Sequence, residues 1–188
     1  MKSCRCRTKC SVSSGFLLTV AAIIYLDGFS LVLRCILACL LHEAGHWITI
    51  RYFGGNVQAV RLTAIGAEMS IDTECPMSYE QEIVVALAGP VVSLITAWIA
   101  AKLEWFLFAG MNLSLGLLNL IPVIPLDGGR VQHQILCMFC PDKAELILRW
   151  ISIVFAGLAL GLGAAAWQQW GNITLLMAAL WLLSKAIK

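Results

Sequence analysis

Charged side chains are scarce in this sequence: Asp, Glu, Lys and Arg make up 13% of its 188 residues, whereas soluble domains contain about 25%. The formal net charge of +2 is too small to favour nucleic-acid binding. No segment is of low complexity or rich in Pro and Ser, so neither a flexible linker nor an appended soluble domain is expected. The sequence therefore indicates one domain, residues 1–188, outside the class of ordinary soluble proteins.

A secreted disulfide framework is also missing, although the chain contains eight cysteines. Several of them lie within or beside apolar segments rather than in the polar loops where such frameworks are built. Cys137 and Cys140 form a C-x-x-C pair without a second pair, which is little support for a metal or redox role. Cys4, Cys6 and Cys10 suit either a soft-metal site or, more simply, a reduced and solvated tail.

Apolar residues, by contrast, make up 60% of the chain. They form six segments separated by short polar breaks: residues 15–26, 31–50, 83–103, 106–126, 144–167 and 173–183. A helix that crosses a bilayer needs about 20 apolar residues, so the first segment is short. No small-residue cleavage site follows it, and we interpret it as an uncleaved span. The pattern predicts an all-α polytopic membrane protein with about six transmembrane helices.

The basic residues are unevenly distributed around these segments. If the N-terminus is cytoplasmic, 11 of the 13 Lys and Arg residues lie on the cytoplasmic side, and the exceptions are Arg34 and Lys102. This distribution satisfies the positive-inside rule. We therefore expect an integral membrane protein whose N-terminus and C-terminus are both cytoplasmic.

The stretch between the second and third segments has a different pattern. Residues 67–72 alternate strictly between apolar and polar side chains, which is the period of a β-strand. With Gly66 as a break, residues 57–63 and 67–73 could form a small β-hairpin at the cytoplasmic surface of the membrane. Such a hairpin would offer an edge to an extended peptide. A surface loop with some strand character is an equally good interpretation.

The strongest local signal is the sequence His-Glu-Ala-Gly-His at residues 42–46. On a helix, His42 and His46 project from the same face, which suits two imidazoles that bind one zinc ion. Glu43 lies beside them, where it could take a proton from a metal-bound water molecule. A chance match is the alternative. However, burying these ionisable groups at the end of an apolar helix is costly without compensation, and a zinc ion supplies that compensation.

Catalytic zinc usually takes three protein ligands, so one ligand is missing from this motif. Asp127 is the best candidate because it ends the fourth apolar segment on the same cytoplasmic side as His46. Two prolines precede Asp127 and two glycines follow it, which breaks the helix and frees backbone groups. An ordinary Asp-Gly turn at a helix end is the alternative.

The two motifs together resemble the site-2 protease family of intramembrane zinc metalloproteases (peptidase family M50), most closely its sporulation sigma-factor-processing branch. The resemblance rests on His-Glu-x-x-His and on Asn-x-x-Pro-x-x-Pro-Leu-Asp-Gly-Gly at residues 119–129. Residues 88–93, Ala-Gly-Pro-Val-Val-Ser, are similar to a Gly-Pro-x-x-Asn element of that family, with Ser93 where Asn is common. The resemblance covers a catalytic core of about residues 31–130. Members of the family often add a PDZ or CBS domain, and we expect neither in this sequence.

This resemblance implies that His42, His46 and Asp127 bind one Zn²⁺ per chain and that Glu43 is the general base. It also implies a substrate-positioning role for Asn119. The implied function is intramembrane proteolysis, in which a peptide bond in or near a transmembrane segment is hydrolysed close to the cytoplasmic face of a bacterial plasma membrane. The expected partners are the lipid bilayer, a membrane-protein or membrane-associated peptide substrate and an unidentified regulatory membrane protein, but no nucleic acid.

Other functions remain open at this point. A catalytically inactive homologue that binds metal or substrate is the main alternative, although the intact Glu43 argues against it. A membrane-anchored metalloprotease acting on soluble proteins would place its motif in a polar domain, whereas here the motif lies in a span. A transporter is disfavoured because the sequence has no internal repeat of broken helices. His133 matches no family ligand, and we interpret it as a polar interior or interfacial residue.

Overall fold

The computed structural model describes residues 9–63, 66–71, 77–171 and 174–187. The secondary-structure elements in these ranges are β1 (Lys9–Val12), α1 (Ser14–Asp27), α2 (Phe29–Tyr52), β2 (Val57–Thr63), β3 (Gly66–Ile71), α3 (Tyr79–Lys102), α4 (Phe106–Asn119), α5 (Asp127–Phe139), α6 (Ala144–Trp170) and α7 (Thr174–Ile187). A single 3₁₀ turn, Pro141–Lys143, connects α5 to α6. The chain is therefore mostly helical.

Within the described residues, three helical stretches are long and apolar enough to cross a bilayer: Phe29–Tyr52, Tyr79–Lys102 and Pro141–Gln169. The helices α1, α4 and α7 are apolar but have 14 residues each. At about 1.5 Å per residue they are shorter than the hydrocarbon core of about 30 Å. The expected membrane-protein architecture is thus supported by three candidate spans, and the expected six are not confirmed.

The fourth apolar segment differs most from the expectation. The sequence predicts one span over residues 106–126, whereas the helix ends at Asn119. Pro122 and Pro125 have no backbone N–H group to donate, so a helix continued through them would lose two backbone hydrogen bonds. Residues 120–126 instead form a non-helical connection, and a new helix, α5, begins at Asp127.

The strands form a small sheet, and two of them lie between α2 and α3 in sequence. Strands β2 and β3 pair antiparallel as a hairpin, with Thr63 opposite Gly66. Gly66 therefore belongs to β3 rather than separating the strands, and predicted strand residues 72 and 73 lie outside the described residues. The N-terminal strand β1, which the sequence pattern did not indicate, pairs parallel with β2. The strand order is β1-β2-β3, so one edge of the hairpin is already covered.

Close contact between α2 and α3 depends on glycine. A Cβ atom added at Gly45 of α2 would lie 2.7 Å from the carbonyl oxygen of Ala88 in α3 and 3.0 Å from Cγ2 of Val92. Small residues allow membrane helices to approach at backbone distance. A hydrogen bond from the Gln134 side chain to the Glu82 carboxylate then joins α5 to α3. These contacts bring α2, α3 and α5 together at one place.

Candidate metal centre

Three side chains meet where α2, α3 and α5 come together. His42 and His46, one turn apart on α2, are 4% and 5% exposed, and Asp127 at the start of α5 is 8% exposed. The Nε2 atoms of the two histidines are 3.2 Å apart. Oδ2 of Asp127 lies 3.0 Å from Nε2 of His42 and 3.2 Å from Nε2 of His46. The structure thus brings together the three residues that the sequence suggested as ligands.

This arrangement fits a zinc ion. Zinc in proteins is tetrahedral with bonds of about 2.0–2.1 Å to His nitrogen, so two of its ligand atoms lie about 3.3 Å apart. Two imidazoles and one carboxylate form a donor set that catalytic zinc sites use, with the fourth position left for water. Throughout the described part of the chain, His42, His46 and Asp127 are the one such group of His, Cys, Asp and Glu side chains.

Each histidine is oriented by a residue of α3. Nδ1 of His46 donates a hydrogen bond to the carbonyl oxygen of Val85 at 2.8 Å. Because a carbonyl oxygen can only accept, Nδ1 carries a proton, and in the neutral ring Nε2 then presents its lone pair to the centre of the group. Nδ1 of His42 lies 2.9 Å from Oγ of Ser93, which is completely buried. In the sequence, Ser93 stood out only as a departure from a motif. Its signal was a polar residue within an apolar span.

Gly89 supplies the space that the two imidazoles occupy. A Cβ atom at this position of α3 would lie 2.8 Å from Nε2 of His42 and would overlap Nε2 and Cε1 of His46. Any side chain here would displace the rings. The two histidines therefore pack against α3 at Gly89, within the Ala-Gly-Pro sequence of residues 88–90.

Asp127 is held by the start of α5. A Cβ atom at Gly128 would lie 2.6 Å from the carbonyl oxygen of Ile121, and one at Gly129 would lie 2.6 Å from that of Val123. The two glycines thus let α5 begin directly against residues 120–126. Burial disfavours the charged form of Asp127, but the hydrogen bonds with His42 and His46 outweigh it and lower the carboxyl pKa from 3.8 to about 2.

The remaining groups near Asp127 are charged. Oδ1 of Asp127, the oxygen that faces away from the histidines, lies 3.8 Å from Nη1 of Arg130, whose side chain is 47% exposed. Glu43 is half-buried on α2 and interacts electrostatically with His42, His46 and Asp127. The arrangement therefore combines a potential metal-binding group with an adjacent carboxylate that is not among its ligands.

The chain is similar to known proteins. The family model described as peptidase family M50 matches residues 101–160, which include Asp127. The chain is 31% identical over 126 residues to stage IV sporulation protein FB of Bacillus subtilis, covering 62% of this chain and 44% of that protein.

Two further similar proteins come from Methanocaldococcus jannaschii. A zinc metalloprotease is 32% identical over 108 residues, covering 51% of this chain and 31% of that protein. The solved structure of a site-2 protease has the same fold, with a TM-score of 0.75 and 24% identity over 100% of this chain and 92% of that chain. The chain spans less than half the length of the two curated relatives.

The other polar residues singled out in the sequence lie apart from the metal-binding group. Nδ2 of Asn119 donates a hydrogen bond to the Leu115 carbonyl oxygen at 3.0 Å, so this amide group bonds back to its own helix. His133 lines a cleft of about 310 Å³ between α5, α6 and residues 124–126, which Arg130 and Glu145 also line. No described cysteine belongs to the metal-binding group.

Proposed function

We propose that this chain is a zinc metalloprotease of the M50 family that hydrolyses a peptide bond in or near a transmembrane segment of a membrane-associated substrate. The observation that carries the proposal is the convergence of His42, His46 and Asp127 within 3.2 Å of one another, with Glu43 beside them. Zn²⁺ is the cofactor, because these donors suit it and relatives of the chain are named zinc metalloproteases. The catalytic core is residues 31–130, within a single domain of residues 1–188.

The roles of the residues follow from their positions. Zn²⁺ held by His42, His46 and Asp127 would supply Lewis-acid activation of a water molecule and of the scissile carbonyl. Glu43 takes the proton from the attacking water and later returns it to the leaving amine. Glu43 is suited to this because it is half-buried and close to the ligands, yet not tied to the group by a hydrogen bond in the described structure.

The substrate must be extended where it is cut, because a helix conceals its carbonyl groups in hydrogen bonds. The hairpin of β2 and β3 supports this step, since β1 covers one side of β2 and β3 is one of the two outer strands of the described sheet. An unwound peptide could pair with β3 as an additional strand. The excess of basic residues supports cytoplasmic termini and an active site near the cytoplasmic face of a bacterial plasma membrane. Asn119 is proposed to help position the substrate, and a regulatory membrane protein is a further expected partner.

A catalytically inactive homologue that binds metal or substrate is the second candidate. It would need the three ligands but not Glu43, which is present and placed beside them. The two candidates therefore make opposite predictions for one substitution. Glu43→Gln should leave an inactive homologue unchanged, whereas it should reduce hydrolysis by a protease by about 10²–10⁴-fold.

The test measures zinc content and cleavage on the same detergent-purified protein. Single-span model peptides serve as substrates, and new termini are detected by mass spectrometry. We expect zinc in the wild type and in Glu43→Gln, with cleavage reduced by about 10²–10⁴-fold in the latter. Asp127→Asn should lose zinc, whereas Asp142→Asn, which removes an exposed carboxylate from the turn before α6, should keep both properties. Cleavage by Glu43→Gln at the wild-type rate would refute the mechanism.

A further inference from the structure

The two histidines of the metal-binding group are oriented by chemically different partners. His46 is held by the backbone carbonyl of Val85, which only accepts hydrogen bonds and which no side-chain substitution removes. His42 is held by the hydroxyl group of Ser93 at 2.9 Å. A hydroxyl group both donates and accepts. The orientation of His42 therefore depends on one side chain of α3, and the orientation of His46 does not.

The Ser93 hydroxyl is placed for this contact. Ser93 is 0% exposed, and its oxygen lies within hydrogen-bond distance of His42 Nδ1. The surface of α3 near Ser93 allows α2 to approach closely, because Gly89, one turn earlier, has no Cβ atom. A Cβ atom at Gly89 would collide with the two imidazole rings. A buried polar group in an apolar helix pair is costly unless it is hydrogen-bonded. The serine and the histidine satisfy one another.

We propose that Ser93 is a positioning residue of the active site, which holds the His42 ring so that Nε2 faces the metal. The proposal rests on the zinc site proposed above and adds a residue to it. With a metal ion bound at Nε2 of His42, Nδ1 would carry the ring proton and would donate a hydrogen bond to Ser93 Oγ. When no metal is bound, the same hydroxyl can donate to Nδ1 while Nε2–H donates to Asp127 Oδ2, 3.0 Å away. The Ser93 hydroxyl can therefore hydrogen-bond to Nδ1 of His42 in the metal-bound and in the metal-free form. A group that only accepts hydrogen bonds could do so in the first form alone.

The two arrangements of His42 share one requirement. What position 93 requires is a group that can hydrogen-bond in either direction, as a hydroxyl group does. The proposal predicts that such a group restores function where an apolar group of equal size does not.

A matched pair of variants separates hydrogen bonding from packing. Ser93→Thr and Ser93→Val place side chains of nearly the same shape in the same space, and only threonine keeps the hydroxyl group. Zinc affinity is measured by competition with a chelator, and the absorption spectrum of the Co²⁺-substituted protein reports the ligand geometry. Loss of such a partner of a metal-ligating histidine weakens metal binding by about 10–100-fold. We expect this loss and an altered Co²⁺ spectrum for Ser93→Val, with Ser93→Thr within about three-fold of wild type.

Two additional variants control for unfolding of Ser93→Val and for a nonspecific effect of removing a buried hydroxyl group. Ser93→Ala removes the hydroxyl without adding volume, so it should weaken metal binding as Ser93→Val does even if the valine disturbs the fold. Ser152→Ala removes another completely buried hydroxyl, which accepts a hydrogen bond from the Ile124 backbone. It should lower thermal stability without changing the Co²⁺ spectrum.

The outcomes are distinct. If the wild type binds neither Zn²⁺ nor Co²⁺, the proposed function fails and the role of Ser93 fails with it. If the wild type binds both, but Ser93→Ala and Ser93→Val bind as tightly with an unchanged spectrum, the metal site stands and the role of Ser93 is refuted. Equal spectral changes in Ser93→Ala and Ser152→Ala would likewise refute it, because the effect would then be general loosening.

Discussion

The helix pair α2–α3 and the helix pair α6–α7 are both apolar at their surfaces, but they differ in what they bury. Between α2 and α3 lie His42, His46 and Ser93, all at most 5% exposed. In α6 and α7 the buried residues are mostly alanines. Those alanines are Ala144, Ala156, Ala166, Ala179 and Ala186. Alanine allows close helix packing without any polar requirement.

The difference indicates that the two helix pairs have different roles, one in metal binding and the other in stability. Each polar group between α2 and α3 has a partner on the other helix or on α5, because an unpartnered polar group in a membrane is costly. Such a network tolerates little displacement. The α6–α7 pair has no comparable buried network among its described residues apart from Ser152, so it should tolerate changes that leave packing intact. The first pair should therefore control metal binding, and the second should control stability.

The largest expected effect comes from Gly89→Ala. The added methyl group would overlap the His46 ring and lie 2.8 Å from Nε2 of His42, so the ligands must move. A displacement of about 1 Å in such a site costs about 10²-fold in rate. We expect at least this loss of peptide cleavage together with weaker zinc binding.

The matched control for this change is Gly157→Ala on α6, where an added Cβ meets nothing within 4 Å. Replacing glycine by alanine within a helix stabilises it by about 0.5–1 kcal/mol. We expect unchanged zinc affinity and a slightly higher unfolding temperature in detergent. Equal loss of zinc in Gly89→Ala and Gly157→Ala would contradict the division between the two helix pairs.

A change of intermediate size should damage the second pair alone. Ala156 of α6 is 0% exposed, so Ala156→Leu overfills a packed site, at a cost of about 1–3 kcal/mol in stability. We expect a lower unfolding temperature with zinc affinity per folded molecule unchanged. The control is Leu158→Ala on the same helix, which truncates an exposed side chain and should change neither property. A loss of zinc affinity in Ala156→Leu would show that the two pairs are coupled.

Ser152 is the point at which the two regions meet. Its hydroxyl oxygen accepts a hydrogen bond from the Ile124 backbone at 3.2 Å, which joins α6 to the connection that precedes Asp127. Removing one such bond costs about 1 kcal/mol. Ser152→Ala should therefore lower the unfolding temperature by a few degrees in a thermal melt, and Ser152→Thr should keep the bond. An unchanged melting temperature in Ser152→Ala would show that this contact contributes nothing.

The smallest effect is expected for Arg130→Gln. The Arg130 side chain is 47% exposed and lies 3.8 Å from Oδ1 of Asp127. An exposed ion pair contributes about 0–1 kcal/mol. Chelator competition should therefore show a change in zinc affinity of no more than about five-fold. A loss as large as that of Asp127→Asn would mean that Arg130, rather than the histidines, holds the carboxylate in place.

Much of the site could be predicted because its signals are local. Two histidines four residues apart on a helix must share a face, and two prolines before a carboxylate and two glycines after it mark a break in the helix. The residues at which the helices begin and end were harder to predict. The fourth segment is continuously apolar in composition, but two prolines end its helix early. Strand β1 could not be predicted, because its pairing with β2 links residues about fifty positions apart.

The sequence alone determined the identity of the candidate ligands, the base beside them and the apolar character of the helices, since each depends on residue type and short spacing. Only the tertiary structure decided how the ligands are held. The contact of His42 with Ser93 spans 51 residues and that of His46 with Val85 spans 39, and both exist because Gly45 and Gly89 let α2 and α3 approach closely. Hydrogen bonds between helices depend on the distance and rotation of the helices, which local sequence patterns do not encode.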